Sequence, residues 1–102
     1  MEPLGRIGRA TVDVLAVLLE SDRPRWGLEL IKLTGRPSGS VYPLLDRLER
    51  AGWVTSEWDD DSDRRGPRRR MYALTPEGAR EAVRVRARKA GPAPSTRPEV
   101  AR

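Results

Sequence analysis

The sequence contains no cysteine and no histidine. These absences exclude a disulfide framework, thiol or imidazole catalysis and the usual zinc sites. No apolar run reaches the length of about 18 residues that a membrane-spanning helix requires, and no signal-peptide pattern opens the chain. No nucleophile–base pair is visible, so we do not expect an enzyme. We expect a soluble cytoplasmic protein without metal or cofactor.

Lysine is also scarce, since 18 of the 20 basic residues are arginine, and the formal net charge is +5. Residues 1–58 carry eight basic and eight acidic groups, whereas residues 75–102 carry seven basic groups and three acidic ones. The positive surplus therefore belongs to the C-terminal half. Such a surplus favours a polyanion as partner, nucleic acid before membrane, although a merely soluble basic surface has the same composition.

Two helices are predicted in the first third of the chain. Residues 10–21 form a helix that is apolar nearly all round, so it must be covered on more than one side. Either a second subunit or a central place in the core would cover it. Residues 26–34 form a second helix with Leu28, Leu30 and Ile31 inward. It ends at Gly35, and a turn at residues 36–37 follows because a residue that precedes proline avoids helical angles.

A third helix follows this turn. Val41, Leu44, Leu45 and Leu48 have helical spacing and Gly52 stands where a helix C-terminus favours glycine. Ser38 or Ser40 is expected to cap its start. Pro43 lies about one turn inside, where it forfeits a single hydrogen bond to the Gly39 carbonyl.

The pattern changes to strands after this helix. Residues 53–58 are rich in aromatic and β-branched side chains, and residues 70–74 form a returning strand. Residues 59–69 form a charged loop between them. Its four aspartates, Asp59, Asp60, Asp61 and Asp63, are a weak candidate for a metal site because nothing else completes the ligand set.

A final helix follows the hairpin. Thr75 offers a capping hydroxyl, Pro76 suits the first helical position, and Glu77 places an acid in the first turn. The helix continues to about residue 90 with a weak apolar stripe, Ala79, Ala82, Val83 and Ala90. Three helices, a hairpin and a helix, mainly α with a small antiparallel β-hairpin, make a winged helix-turn-helix over residues 9–90. We expect residues 1–8 to be flexible and residues 91–102 to be a disordered tail.

In such a domain the third helix enters the major groove of DNA. With its apolar stripe in the core, the N-terminal part of its outer side lies nearest the bases. Proline there would rigidify the first turn and offer an apolar contact to a thymine methyl, unless it is only a tolerated kink. The residues predicted to contact DNA from this helix are Ser38, Ser40, Tyr42, Pro43 and Arg47.

The tip of the hairpin is the second predicted DNA contact. Its arginines, Arg64, Arg65, Arg68 and Arg69, cluster about a Gly-Pro turn. A wing of this kind grips the phosphate backbone or enters the minor groove. The alternative is a solvated charged turn with no contact.

We also predict a homodimer that is joined through the over-apolar first helix and the last helix. The residues predicted at its interface are Val14, Val17, Leu18, Ala82 and Arg86.

Several stretches resemble the PadR family of bacterial transcriptional regulators. They are WGLEL at residues 26–30, GSVYPLLDRLERAG at 39–52, SEW at 56–58 and RMYALTPEG at 70–78. The resemblance covers residues 12–85. It implies a homodimeric DNA-binding regulator, usually a repressor, whose recognition helix spans residues 39–51. It also implies that the first and last helices build the dimer. A small molecule of unspecified chemistry is a candidate effector.

Two other functions compete with sequence-specific DNA binding. A winged helix can serve as a protein-interaction module, with Tyr42 and the tryptophans facing a protein. An RNA binder would also be small and basic, but the chain lacks the paired exposed aromatic residues that stack on bases.

Overall fold

The described part of the chain contains four helices and three strands. A computed structural model describes residues 7–59 and 69–90. The predicted flexible N-terminus up to residue 6, most of the charged loop (60–68) and the predicted tail (91–102) lie outside these ranges. In chain order the elements are α1 (Arg9–Glu20), β1 (Arg25–Trp26), α2 (Gly27–Thr34), α3 (Ser38–Arg50), β2 (Val54–Trp58), β3 (Arg70–Leu74) and α4 (Pro76–Ala90). The predicted helices and hairpin are confirmed.

The sheet has one strand that the sequence pattern does not predict. β1 pairs antiparallel with β3, with Arg25 opposite Tyr72 and Trp26 opposite Met71, and β2 pairs with the other edge of β3. A strand of two residues shows no alternation, and its partner lies far along the chain. Only tertiary pairing therefore reveals β1.

The core lies between the helices and the sheet. α1 packs against α2, α3 and α4, so it occupies a central place within a single chain. Together α1 and α3 supply much of the core. No described helix is both long and apolar enough to cross a membrane. The buried residues of the core cluster are Val14, Leu15, Leu18, Leu30, Val41, Leu44, Leu45, Leu48, Val54, Tyr72, Ala82 and Val85.

Two predicted apolar faces are rotated from their expected positions. In α2, Leu30 is buried whereas Leu28 is exposed. In α4, Val85 is buried and Val83 is 53% exposed, although the sequence pattern placed Val83 on the apolar stripe. Gly78 sets the rotation of α4 because it lies against the Trp53 carbonyl, which turns the positions four and seven residues later inward.

Glycine ends α2 and α3, as predicted. Gly35 and Gly52 have φ values of 71° and 83°, the left-handed conformation that side chains disfavour. The Gly52 N–H donates to the Glu49 carbonyl at 3.0 Å, and the Trp53 N–H donates to the Leu48 carbonyl at 2.9 Å. These bonds satisfy the last carbonyls of α3 and direct the chain into β2.

The helix starts agree only in part with the sequence prediction. Thr75 Oγ1 accepts the Gly78 N–H at 2.9 Å, so the predicted cap of α4 is confirmed. The predicted serine cap of α3 is wrong. Ser38 and Ser40 already lie within the helix, and Pro37 precedes it without a side-chain cap. The Pro37 carbonyl accepts the Ser40 and Val41 N–H groups at 3.0 and 3.1 Å.

Candidate nucleic-acid interface

The outer side of α3 carries all the helix residues that were predicted to contact DNA. The inner side is filled by core residues, so the polar positions between them point to solvent. Tyr42 is the large side chain of this surface, with 44% of it exposed. We call this surface the α3 outer side; it consists of Ser38, Ser40, Tyr42, Pro43, Asp46, Arg47 and Arg50, all exposed.

The acidic residues of α3 are paired within the chain. Asp46 Oδ2 lies 2.9 Å from Arg50 Nη2, one helical turn away. Glu49 lies at the edge of the helix, with Oε1 3.7 Å from Arg70 Nη2. Arg47 makes no ion pair with any residue in the described part of the chain. The α3 outer side therefore offers an arginine that is paired with no acid among the residues that the structure describes, which suits contact with phosphate.

The Tyr42 ring lies against the first residue of α2. A Cβ atom placed on Gly27 would be 2.7 Å from Tyr42 Cε1 and 3.1 Å from its hydroxyl oxygen. Only a residue without a side chain allows this approach. α2 therefore supports one edge of the ring, while 44% of the residue stays exposed to solvent.

Glu29 fixes the start of α2. Its carboxylate accepts the Trp26 N–H at 2.9 Å, and its Oε2 lies 2.7 Å from Arg23 Nη2 and 3.3 Å from Arg25 Nη1. Hydrogen bonding from Arg23, the Trp26 N–H and the charge of both arginines lower the pKa of Glu29 from about 4.5 to about 2, against a smaller opposing effect of burial. An acid three residues after Trp26 is the recognisable sequence signal of this contact.

We expect replacement of Glu29 with glutamine to lower the free energy of unfolding by about 1–2 kcal/mol near neutral pH, a figure that allows for solvent screening of the half-exposed Arg23. Because the folded-state pKa of Glu29 is depressed, its stabilisation is fully present above pH 4.5 and is lost as the pH falls towards 2. The difference in free energy of unfolding between the wild type and Glu29→Gln should therefore shrink as the pH falls from 4.5 towards 2. Urea unfolding at several pH values measures it.

Glu57→Gln is the matched control for that experiment. Glu57 is exposed on β2 and forms no ion pair with any residue that the structure describes. Its replacement should change the free energy of unfolding by less than about 0.5 kcal/mol at any pH. A Glu29→Gln effect that stayed constant down to pH 2 would contradict the assigned role of the carboxylate.

A salt bridge fixes the turn that leads into α3. Arg36 Nε and Nη2 lie 3.0 and 2.8 Å from Asp13 Oδ2, so the turn between α2 and α3 is attached to α1. Neither residue was singled out from the sequence, since the pair joins two segments far apart in the chain. The start of α3 is thereby held relative to the core.

Pro43 lies inside α3, as expected. It is the sixth residue of the helix and is exposed. It cannot donate to the Gly39 carbonyl, which solvent can reach because Gly39 is also exposed. The proline ring therefore stands on the α3 outer side next to Tyr42.

Of the predicted wing arginines, the structure describes only Arg69, at the base of the wing. Arg64, Arg65 and Arg68 lie outside the described residues. The Arg69 guanidinium stacks on Trp26, with its carbon 4.1 Å from the ring centroid. Its Nε is buried and has no hydrogen-bond partner among the described residues. The side chain of Arg69 thus connects the wing to the start of α2.

A second contact joins the wing to α3. Arg70 Nε donates to Ser56 Oγ at 3.0 Å, and Ser56 Oγ donates to Glu49 Oε2 at 2.7 Å. The Arg70 guanidinium also lies 5.3 Å from the Trp58 ring centroid.

Of the four aspartates weighed as a metal site, only Asp59 is described, and no three acidic residues in the described ranges are grouped as a metal site requires.

The predicted dimer residues occupy two different environments. Val14, Leu18 and Ala82 lie in the core of the single chain, with 0%, 5% and 1% of each residue exposed. α1 and α4 bury these residues against one another, which the apolar pattern alone could not distinguish from burial by a second chain. Val17 is only partly buried, and Arg86 Nη1 lies 3.0 Å from Glu20 Oε2 on the protein surface.

Comparison with solved structures places this architecture among bacterial regulators. A PadR family transcriptional regulator from Eggerthella lenta DSM 2243 is 34% identical, with a TM-score of 0.60, over 76% of this chain and 70% of that chain. The PcaV transcriptional regulator from Streptomyces coelicolor shares the fold, with a TM-score of 0.72 and 22% identity over 84% of this chain and 57% of that chain.

Sequence comparison agrees with the structural likeness. The HTH-type transcriptional regulator YcgE of Bacillus subtilis (strain 168) is 46% identical over 50 residues, 49% of this chain and 32% of that protein. The chain thus spans about a third of the length of this curated relative. The model of the transcriptional regulator PadR-like family matches residues 14–84. This family and the Eggerthella lenta relative are transcriptional regulators and not enzymes, which agrees with the expectation that the chain is not an enzyme. The chain belongs to the PadR-like family of transcriptional regulators.

Proposed function

We propose that this protein is a sequence-specific DNA-binding repressor that binds a palindromic operator as a homodimer. The α3 outer side is the observation that carries the proposal. It combines an exposed aromatic side chain, exposed hydroxyls and an arginine without an ion pair among the described residues, and the acids beside them are already paired. Family membership supports both DNA binding and regulation.

In this proposal α3 lies in the major groove. Tyr42 and Ser40 lie near its N-terminal end and contact the base edges, while Arg47 contacts the backbone. Ser38 precedes them in the first turn and suits a phosphate contact. Pro43 offers its ring to a thymine methyl and restricts the backbone that presents Tyr42.

The wing contributes contacts that do not depend on sequence. We propose that Arg64, Arg65 and Arg68 contact the phosphate backbone or the minor groove. Arg69 belongs to the same set, and its stacking on Trp26 supports a role in directing the wing. Arg70, the first residue of β3, supports the same function because it connects the wing to α3 through Ser56.

The proposed dimer uses the outer faces of α1 and α4. Val17 and the exposed Val83 supply apolar surface, and Arg86 supplies a charge that can exchange its partner Glu20 for one on the second chain. Val14, Leu18 and Ala82 support this interface from beneath. A two-fold axis would place two copies of α3 in successive major grooves, so half-site centres should lie about 10 base pairs apart or a multiple of that distance.

Titration of the protein against its operator and against random DNA of equal length tests the proposal. Two chains should bind each operator, at least about a thousand times more tightly than random DNA. Arg47→Ala removes one proposed phosphate contact per chain. It should therefore reduce the slope of log affinity against log salt concentration by about one for each chain bound, on both DNAs.

Two results would contradict this function. Equal affinity for the operator and for random DNA would exclude sequence-specific binding and favour the protein-interaction alternative. Sedimentation of a stable monomer, both free at micromolar concentration and bound to the operator, would exclude the homodimer.

A further inference from the structure

We propose that Gly27 is a positioning residue for operator recognition: its missing side chain sets the place of the Tyr42 ring. The inference rests on the proposed function, because it assigns to a residue outside α3 a part in the specificity of the α3 outer side. Gly27 itself would touch no DNA. It acts through the ring that lies against it.

With the Tyr42 ring in its observed place, there is no room for a side chain at position 27. A Cβ atom on Gly27 would lie 2.7 Å from Tyr42 Cε1, 3.1 Å from the hydroxyl oxygen and 3.2 Å from Cζ. The first distance is well below van der Waals contact between carbon atoms. Either the backbone of α2 or the Tyr42 ring must therefore move when alanine replaces Gly27.

The backbone at Gly27 is the less movable of the two. The preceding residue, Trp26, pairs with Met71 in the sheet, and its N–H donates to Glu29 at 2.9 Å. The Arg69 guanidinium also stacks on the indole ring of Trp26. Gly27 is buried, and it begins a helix in which alanine is intrinsically preferred to glycine.

The Tyr42 ring, in contrast, is free to leave. It is 44% exposed and stands on the solvent side of α3, so rotation about its side-chain bonds moves it outward without opening the core. Outward is also the direction of the proposed DNA. A methyl group on residue 27 should therefore displace the side chain that reads the bases and leave the fold intact.

Gly27→Ala is the direct test. We expect it to weaken operator binding about ten-fold, within the range expected when one base contact is removed, and to leave binding to random DNA unchanged. Its thermal midpoint should stay within about 4 °C of the wild type. Without DNA, NMR should detect proximity between the Tyr42 ring protons and the Gly27 α protons in the wild type, and the corresponding signal should be absent from the variant.

Two further backgrounds separate positioning from a general effect of the substitution. In Tyr42→Ala the ring is absent, so adding Gly27→Ala should cause no further decrease in operator affinity. In Tyr42→Phe the ring remains but the hydroxyl contact to the bases is already lost, so Gly27→Ala should cost less operator affinity than in the wild type. Gly8→Ala, where a Cβ meets nothing within 4 Å, should leave operator affinity unchanged.

The outcomes distinguish this proposal from the proposed function. Failure of the wild type to prefer its operator overturns the proposed function and the specificity assigned to Gly27 together. If the wild type does prefer it, the positioning role is overturned by an unaffected Gly27→Ala variant, by equal decreases on operator and random DNA, or by the same decrease with and without the Tyr42 ring. Absence of the ring signal in the wild-type NMR spectra also overturns it.

Discussion

Replacing Gly78 with alanine is expected to lower the free energy of unfolding by about 3 kcal/mol or more. A Cβ atom at this position would lie 1.8 Å from the Trp53 carbonyl oxygen and 2.6 Å from the carbonyl carbon. Both are backbone atoms, so no side chain can rotate away. The added methyl group must separate α4 from the segment that joins α3 to β2.

The contacts around this point show why the separation is costly. The Thr75 N–H donates to the Trp53 carbonyl at 3.0 Å, and Thr75 Oγ1 donates to the Gly52 carbonyl at 2.7 Å. Moving α4 away would break these bonds and withdraw Ala82 and Val85 from the core. Such losses are large compared with the stability of a small domain.

Urea unfolding of Gly78→Ala measures this loss, and Gly39→Ala is its matched control. Gly39 also lies in a helix, but a Cβ atom there would meet nothing within 4 Å. The control should be as stable as the wild type or up to about 1 kcal/mol more stable, because alanine favours helix. A Gly78→Ala protein with wild-type stability would show that α4 does not approach Trp53 this closely.

Leu45→Ala is expected to cost about 2–5 kcal/mol, through lost transfer free energy and the cavity that remains. Leu45 is fully buried, at 0% exposure, in the middle of α3 and among core residues from other elements. Its side chain therefore attaches the helix of the candidate interface to the rest of the molecule. Chemical unfolding gives the loss, and a shallower dependence on denaturant would indicate that α3 detaches before the remaining core.

The neighbouring residue supplies a control on the opposite side of the helix. Asp46 is exposed, and its ion pair with Arg50 at 2.9 Å lies in solvent. Asp46→Ala should change the free energy of unfolding by no more than about 0.5 kcal/mol. Equal losses for Leu45→Ala and Asp46→Ala would contradict the division of α3 into an inner and an outer side.

Much of the fold was predictable because its signals are local. Apolar residues three and four positions apart predict α3. Gly35 and Gly52, whose φ values are positive in the structure, mark the ends of α2 and α3, and Thr75 with Pro76 marks the start of α4. The α3 outer side follows from the same spacing, since the buried stripe leaves only the opposite positions for solvent. Predictions failed where two local signals competed, as at the serines and proline that begin α3.

The contacts that position the interface required the tertiary structure. The Tyr42 ring meets Gly27, Arg36 meets Asp13, and Arg69 meets Trp26, each across a turn or from one element to another. Spacing along one helix or strand carries no information about such pairs. The same limit explains why burial within one chain and burial by a second chain looked alike for Val14.

The sequence by itself determined the order of the four helices and the hairpin, the stripe of α3 that is buried and the family to which the chain belongs, because each depends on residue type and short-range spacing. Only the tertiary structure decided the edge strand β1, the rotation of α4 and the support of Tyr42 by α2. Those features depend on contacts between elements that are distant in sequence: the missing Cβ atom of Gly78 lets α4 approach the Trp53 backbone, and that of Gly27 leaves room for the Tyr42 ring.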